Sequence, residues 1–267
     1  MRNVTVAVLL GVALWFPGVR AEAALAVAPS RVVLQGKPKQ TLRGFFLLEN
    51  RGEEALTVHV EPEDWNGGIG GTRGPVSWLT MQPTSLTLRP QHKAKVTYAV
   101  RVPKDAQAEL RAQVFFTMET AGATPLRSRL GTIVYVAISG TEHIDGEVTK
   151  VETAYTATTP GITKPNQLDI AMRIHNRSNI HIVPEGTVVV RDLGGHEIAT
   201  LTLRAGWGLL PNEEDTYRVV SHDIHLKPGR YTLELDLRCG GDVHHSTSIT
   251  KVLEAVVTTD DQFHLLN

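Results

Sequence analysis

Lys93-Ala94-Lys95-Val96-Thr97-Tyr98-Ala99-Val100-Arg101-Val102 alternates along its whole length. Ala94, Val96, Tyr98, Val100 and Val102 fall on one side, and Lys93, Lys95, Thr97 and Arg101 on the other. A period of two belongs to a strand with one face in a core and one in water. The same pattern extends in both directions. Towards the N-terminus, Leu42, Gly44, Phe46 and Leu48 run into the polar corner Asn50-Arg51-Gly52. Leu56, Val58 and Val60 follow, with Thr57, His59 and Glu61 facing away, and Leu86 and Leu88 mark a short strand before Pro90. Towards the C-terminus come Leu110, Ala112, Val114, Phe116 and Met118, then the run Ile133-Val134-Tyr135-Val136-Ala137-Ile138. That run is apolar at every position, so it reads as a strand covered on both faces. With Val32 to Leu34 at the start, the stretch contains about seven strands, the number expected of an immunoglobulin-like sandwich.

The pattern then recurs. Leu168, Ile170, Met172 and Ile174 lead into Asn176-Arg177-Ser178 as the earlier strand leads into Asn50-Arg51-Gly52. Leu210-Pro211 before Tyr217-Arg218-Val219 answers Leu88-Arg89-Pro90 before the Lys93 strand. Tyr231, Leu233, Leu235 and Leu237, opened by Lys227-Pro228-Gly229, answer Leu110 to Met118. A repeat of this size is a duplicated domain rather than a solenoid unit. The sequence therefore predicts an all-β chain of two tandem immunoglobulin-like β-sandwich domains, spanning 24–142 and 143–257. The interdomain boundary falls near Ser139 to Gly146, with a polar excursion at Thr156 to Pro165 and a loose tail at 258–267.

The first residues are read apart from the fold. Arg2, the apolar run Val4 to Phe16, the breakers Pro17 and Gly18, and Ala21-Glu22-Ala23 make a signal peptide over 1–23. No later segment is apolar enough to span a membrane, so the expected location is periplasmic, secreted or in the cell envelope. Cys239 is the single cysteine, so the domains are held by their cores and not by disulfides. The formal net charge of −1 gives no electrostatic case for a nucleic-acid partner.

The chemistry-bearing residues do not assemble into a catalytic set. His222 and His225 are three apart, and His244-His245 follow Cys239, but adjacent strand residues point to opposite faces and do not chelate one ion. No Gly-x-Ser-x-Gly elbow occurs, and Asn66 to Gly74 is Gly-rich without leading from a strand into a helix. Glu213-Glu214-Asp215 and Asp260-Asp261 read as solvated turn and tail residues. The expectation is a protein that is not an enzyme, with no metal and no cofactor.

The first domain resembles the N-terminal domain of the periplasmic chaperones that assemble pili and fimbriae. The resemblance is carried by Ala28-Pro29-Ser30-Arg31-Val32-Val33-Leu34, Phe46 to Gly52, Val76 to Pro83, Leu88-Arg89-Pro90-Gln91 and Arg111 to Met118. The second domain looks more like the Ig-like domains of bacterial cell-surface proteins, through Arg191 to Gly195 and Leu226 to Tyr231. The resemblance implies a partner that is an exported, pilin-like or other surface protein subunit, bound by lending a strand. It also implies that an Arg on the first strand and a Lys on the last hold the subunit's terminal carboxylate. Arg31 matches the Arg. No Lys lies between Arg127 and Gly140, and the stretch Gly122 to Arg129 is polar and broken by Pro125. The partner-binding residues expected are Arg31, Arg127, Arg129, Ile133 and Tyr135. The alternative is a structural or adhesive cell-surface module binding a cell-envelope partner.

Overall fold

The structure is a computed structural model that describes residues 25–65, 74–119, 127–157, 166–206, 208–240, 246–260 and 262–266. The proposed leader, most of the Gly-rich stretch, Gly122 to Leu126 and His244-His245 lie outside the described residues. Every regular element among those described is a strand, and no helix is long and apolar enough to cross a membrane.

The first sandwich is built from β1 (Leu25–Ala28), β2 (Arg31–Gly36), β3 (Thr41–Asn50), β4 (Leu56–Asp64), β5 (Leu79–Gln82), β6 (Ser85–Leu88), β7 (Lys93–Arg101), β8 (Glu109–Glu119) and β9 (Arg127–Ile138). One sheet has the order β1-β3-β7-β5 and the other β2-β9-β8-β4-β6. All pairs are antiparallel except β2 with β9, so the chain crosses between sheets at Pro29-Ser30. The alternation that opened the sequence reading sets the packing. Val96 and Val100 on β7 are fully buried, in one core with Phe46 from the neighbouring β3 and with Val58, Phe116 and Val134 from the facing sheet.

The second sandwich repeats the plan with β10 (Gly146–Thr156), β11 (Gln167–Asn176), β12 (Val183–Asp192), β13 (Glu197–Arg204), β14 (Glu214–His222), β15 (Gly229–Gly240), β16 (Ser246–Val257) and β17 (Phe263–Leu266). Its sheets run β10-β11-β14 and β13-β12-β15-β16-β17. A separate core surrounds Ile170, Met172, Val188, Val190, Leu233 and Leu237. Arg191 to Gly195 forms the β12–β13 hairpin turn, where the Asp192 backbone N–H donates to His196 O at 3.0 Å and Gly195 takes a left-handed φ of 80°.

The two polar corners match atom for atom. Asn50 is fully buried, and its Nδ2 donates to Glu54 O and Leu88 O while Oδ1 accepts from Gly52 N. Asn176 is equally buried, donating to Ile180 O and Leu209 O and accepting from Ser178 N. Each amide closes a turn whose backbone groups have left the ladder, the reason an Asn stands at this place in both domains.

The tail requires a correction. Residues 263–266 are not loose but form β17, paired with β16 from Val257↔Phe263 to Glu254↔Leu266. Phe263 is buried in the second core, and Leu265 packs against it from the same side of the strand. The second sandwich therefore extends beyond 257. β17 borders the last strand of its sheet as β2 borders β9 in the first.

Candidate functional site

Strand β9 has two different halves. From Ile133 to Ile138 it lies between β8 and β2, with Arg31 paired to Ile133 and Gly36 to Ile138. From Arg127 to Thr132 it has β8 on one side and, among the described residues, no strand on the other. Thr132 Oγ1 donates to Pro29 O at 2.9 Å, where the covered half begins. The backbone direction follows from two bonds at the far end. Ile138 N–H donates to Ala108 O on the β8 side, and Ser139 N–H donates to Gly36 O on the β2 side. Alternation then points the N–H groups of Arg127, Arg129 and Gly131 out from the open edge.

The side chains of those residues lie on the outer face of the sheet. Arg129 spreads its guanidinium 3.5 Å from the Phe115 ring centroid and pairs with Glu63 and, at 3.8 Å, with Glu61. Gly131 stands opposite Phe115, where an added Cβ would come within 3.2 Å of the ring. Arg127 reaches Glu119 at 3.8 Å on the exposed surface, a pair worth little on its own. Ile133 is half-buried.

Tyr135, next on that face, is only 1% exposed although it belongs to neither core. It is covered by the second sandwich. His181, from the segment before β12, stacks on its ring with centroids 3.6 Å apart and planes 14° from parallel. The His181 Nδ1–H donates to Glu109 Oε1 at 2.5 Å, and the His181 backbone N–H donates to Oε2 at 3.2 Å. Trp65 stands beside Tyr135 at 6.1 Å and lines a cleft between the sandwiches of about 570 Å³. Gly208, Leu209, Leu210, Glu213, Glu214 and Asp215 line the rest.

The titration of Tyr135 is shaped by its burial and by four charged groups. Burial raises its pKa well above the ordinary phenol value, Glu109 and Glu213 add to the rise, and Arg31 and Arg111 oppose it. Arg111 lies directly across from Tyr135 on β8, and its Nε is buried without a hydrogen-bond partner. Arg31 on β2 and Arg111 on β8 thus flank Tyr135 on the outer face of the sheet, where the open edge of β9 ends.

The linker holds this arrangement. Asn179 and His143 exchange hydrogen bonds between His143 O and Asn179 N and between His143 N and Asn179 Oδ1. Gln35 donates to Glu142 Oε1 at 3.0 Å, while Gly140 N and Thr141 N donate to Oε2. Burial raises the Glu142 pKa, but bonds from its own amide, Gln35, Gly140 and Thr141 outweigh it and hold the carboxyl below the usual range.

Of the expected site residues, the structure brings Arg31, Ile133 and Tyr135 together and sets Arg127 and Arg129 further along the same strand. The Tyr135 ring is occupied by His181. Sequence reading missed Arg111, Glu109, Trp65 and His181. Arg111 could have been found, because it shares the outer-face parity of β8 with Gln113 and Phe115. His225 and Asn166 form a side-chain pair at 2.5 Å. Among the described residues no cluster of three His, Cys, Asp or Glu side chains is placed to hold a metal.

No family model matches the chain, and no curated protein matches it. Solved structures do. The YadV chaperone aligns at 11% identity and a TM-score of 0.45, covering 86% of this chain and 100% of its own. The CupB2 chaperone of Pseudomonas aeruginosa aligns at 10% identity and a TM-score of 0.43, over 85% of this chain and 98% of that one. The CsuC–CsuE chaperone–tip adhesion subunit pre-assembly complex of Acinetobacter baumannii gives 12% identity and a TM-score of 0.43, over 73% and 89%.

Proposed function

We propose that this chain is a non-catalytic, chaperone-like protein that binds an exported protein subunit outside the cytoplasm, adding a strand of that subunit to the open edge of β9. The observation that carries the reading is the half of β9 from Arg127 to Thr132, which has no strand on its outer side among the described residues and ends where Arg31 pairs with Ile133. An edge strand with outward N–H and C=O groups is a template for an incoming strand. Backbone bonds supply the affinity, and the flanking side chains set the register.

The polar side chains of this edge fit that mode better than apolar donation. Arg127 and Arg129 are already paired with Glu119, Glu61 and Glu63, so both cations beside the edge are compensated and do not repel a second strand. Beside Ile133 and Tyr135, where that edge ends, Arg31 and Arg111 suit a carboxylate, since a guanidinium fork matches it in two-point geometry. Arg111 supplies the second cation for which β9 carries no Lys.

The test is recovery of the tagged full chain from the periplasm of its own cell. The reading expects a stoichiometric exported partner and a marked loss of that partner with Arg31→Ala or Arg111→Ala. A chain that comes out alone, unaffected by either change, leaves the structural or adhesive module as the better reading.

A further inference from the structure

We propose that His181 is a plug that fixes the angle between the two sandwiches, so that the cleft has one preset width whether or not a partner is bound. The side chain belongs to one domain and is spent on the other. The side chains of His181 and Glu109 are 1% and 2% exposed, yet neither is part of either hydrophobic core. Both Glu109 oxygens are used by His181, one by the ring and one by the backbone amide. The ring lies flat on Tyr135, while Gly208 of the second sandwich backs it so closely that an added Cβ would sit 2.8 Å from Cδ2. The imidazole is therefore held by a carboxylate at its edge, an aromatic ring on its face and a side-chain-free backbone beside it. Any change in the interdomain angle must pull it out of all three.

Removal would be costly for a physical reason. A carboxylate buried with its partner is compensated, and one left behind without it is not. Rotation of the second domain would also lift His181 off the Tyr135 ring. The joint thus needs His181, Glu109 and Tyr135 as one unit.

The experiment is a distance measurement by pulsed electron resonance on the full chain, with spin labels at Ser85→Cys and Asp236→Cys. Both positions are exposed, one in each sandwich, and native Cys239 is fully buried and so is not labelled. The plug predicts one narrow distance for the otherwise native chain. His181→Ala and Glu109→Ala should each broaden it, with the open population raised roughly a hundred-fold or more. The double variant should be no broader than His181→Ala alone, because the two residues form one contact. Core amide protection in each sandwich should stay as in the native chain, separating a freed joint from a damaged fold. A distribution that stays narrow in both single variants overturns the proposal. So does additive broadening in the double variant, and Glu109→Ala decides the matter if His181→Ala does not fold.

Discussion

Replacing Asn176 by Ala removes one side chain and strands three backbone groups. Its Nδ2 donates to Ile180 O at 2.9 Å and to Leu209 O at 2.8 Å, and its Oδ1 accepts from Ser178 N at 2.8 Å. The residue is fully buried, so water cannot replace these bonds without a rearrangement of the corner. Each buried group left without a partner costs about 1–3 kcal/mol. Leu209 O is a partial exception, because it keeps the bond it accepts from Ile182 N at 3.0 Å. Two fully stranded groups and one half-satisfied group give a loss of about 3–5 kcal/mol. That is a large share of the stability of a single domain, typically about 5–15 kcal/mol. Urea unfolding of Asn176→Ala, followed by a signal from the second sandwich, measures the loss directly. Asn50→Ala should do the same to the first sandwich, since its three bonds are the same. Asn176→Asp should cost more at neutral pH than in acid, because an ionised carboxylate faces two carbonyl oxygens and a protonated one can donate to one of them. A loss under about 1 kcal/mol for Asn176→Ala would refute the corner as a fixing point of the fold.

Other expectations follow from single contacts. Gly131→Pro removes an N–H that points from the open edge, so it should weaken partner binding about ten-fold or more, whereas Gly131→Ala, which brings the same crowding against Phe115 but keeps the N–H, should lose stability without a comparable loss of binding. Equal binding by the two variants would contradict the assigned edge. Phe263→Ala should destabilise the second sandwich by about 3 kcal/mol or more, whereas a loose tail would make it silent in thermal unfolding. The Cys239 thiol, pushed up to about 11 by burial and then by Asp145, should resist thiol reagents at neutral pH and react only on unfolding.

The fold was legible because its strands carry their burial on alternate residues. Phe46, Val58, Val96, Phe116 and Val134 announce one core, and Ile170, Val188 and Leu233 the second. The run Ile133 to Ile138 was legible as a strand covered twice, and the second cover proves to be the other domain. β16 was hidden because Thr247 and Lys251 interrupt the apolar face that Ile249, Leu253, Ala255 and Val257 would otherwise mark. β17 was hidden by shortness, with Phe263 and Leu265 as its whole inward face. The site was half legible. Arg31 stood out by resemblance, but the pairing of Glu109 with His181 joins residues on different domains, and no local pattern encodes such a contact. Net charge was equally silent, because Arg31, Arg111, Glu109 and Glu213 cancel in the sum while remaining distinct in space.

Amide hydrogen exchange on the purified complex tests strand addition most directly. In the free chain the N–H groups of Arg127, Arg129 and Gly131 should exchange fast, while those of Ser128 and Leu130, bonded towards β8, exchange slowly. With the subunit bound, Arg127, Arg129 and Gly131 should become protected while the covered half of β9 changes little. A complex that forms with those three amides still exchanging fast would place the partner elsewhere and contradict the account.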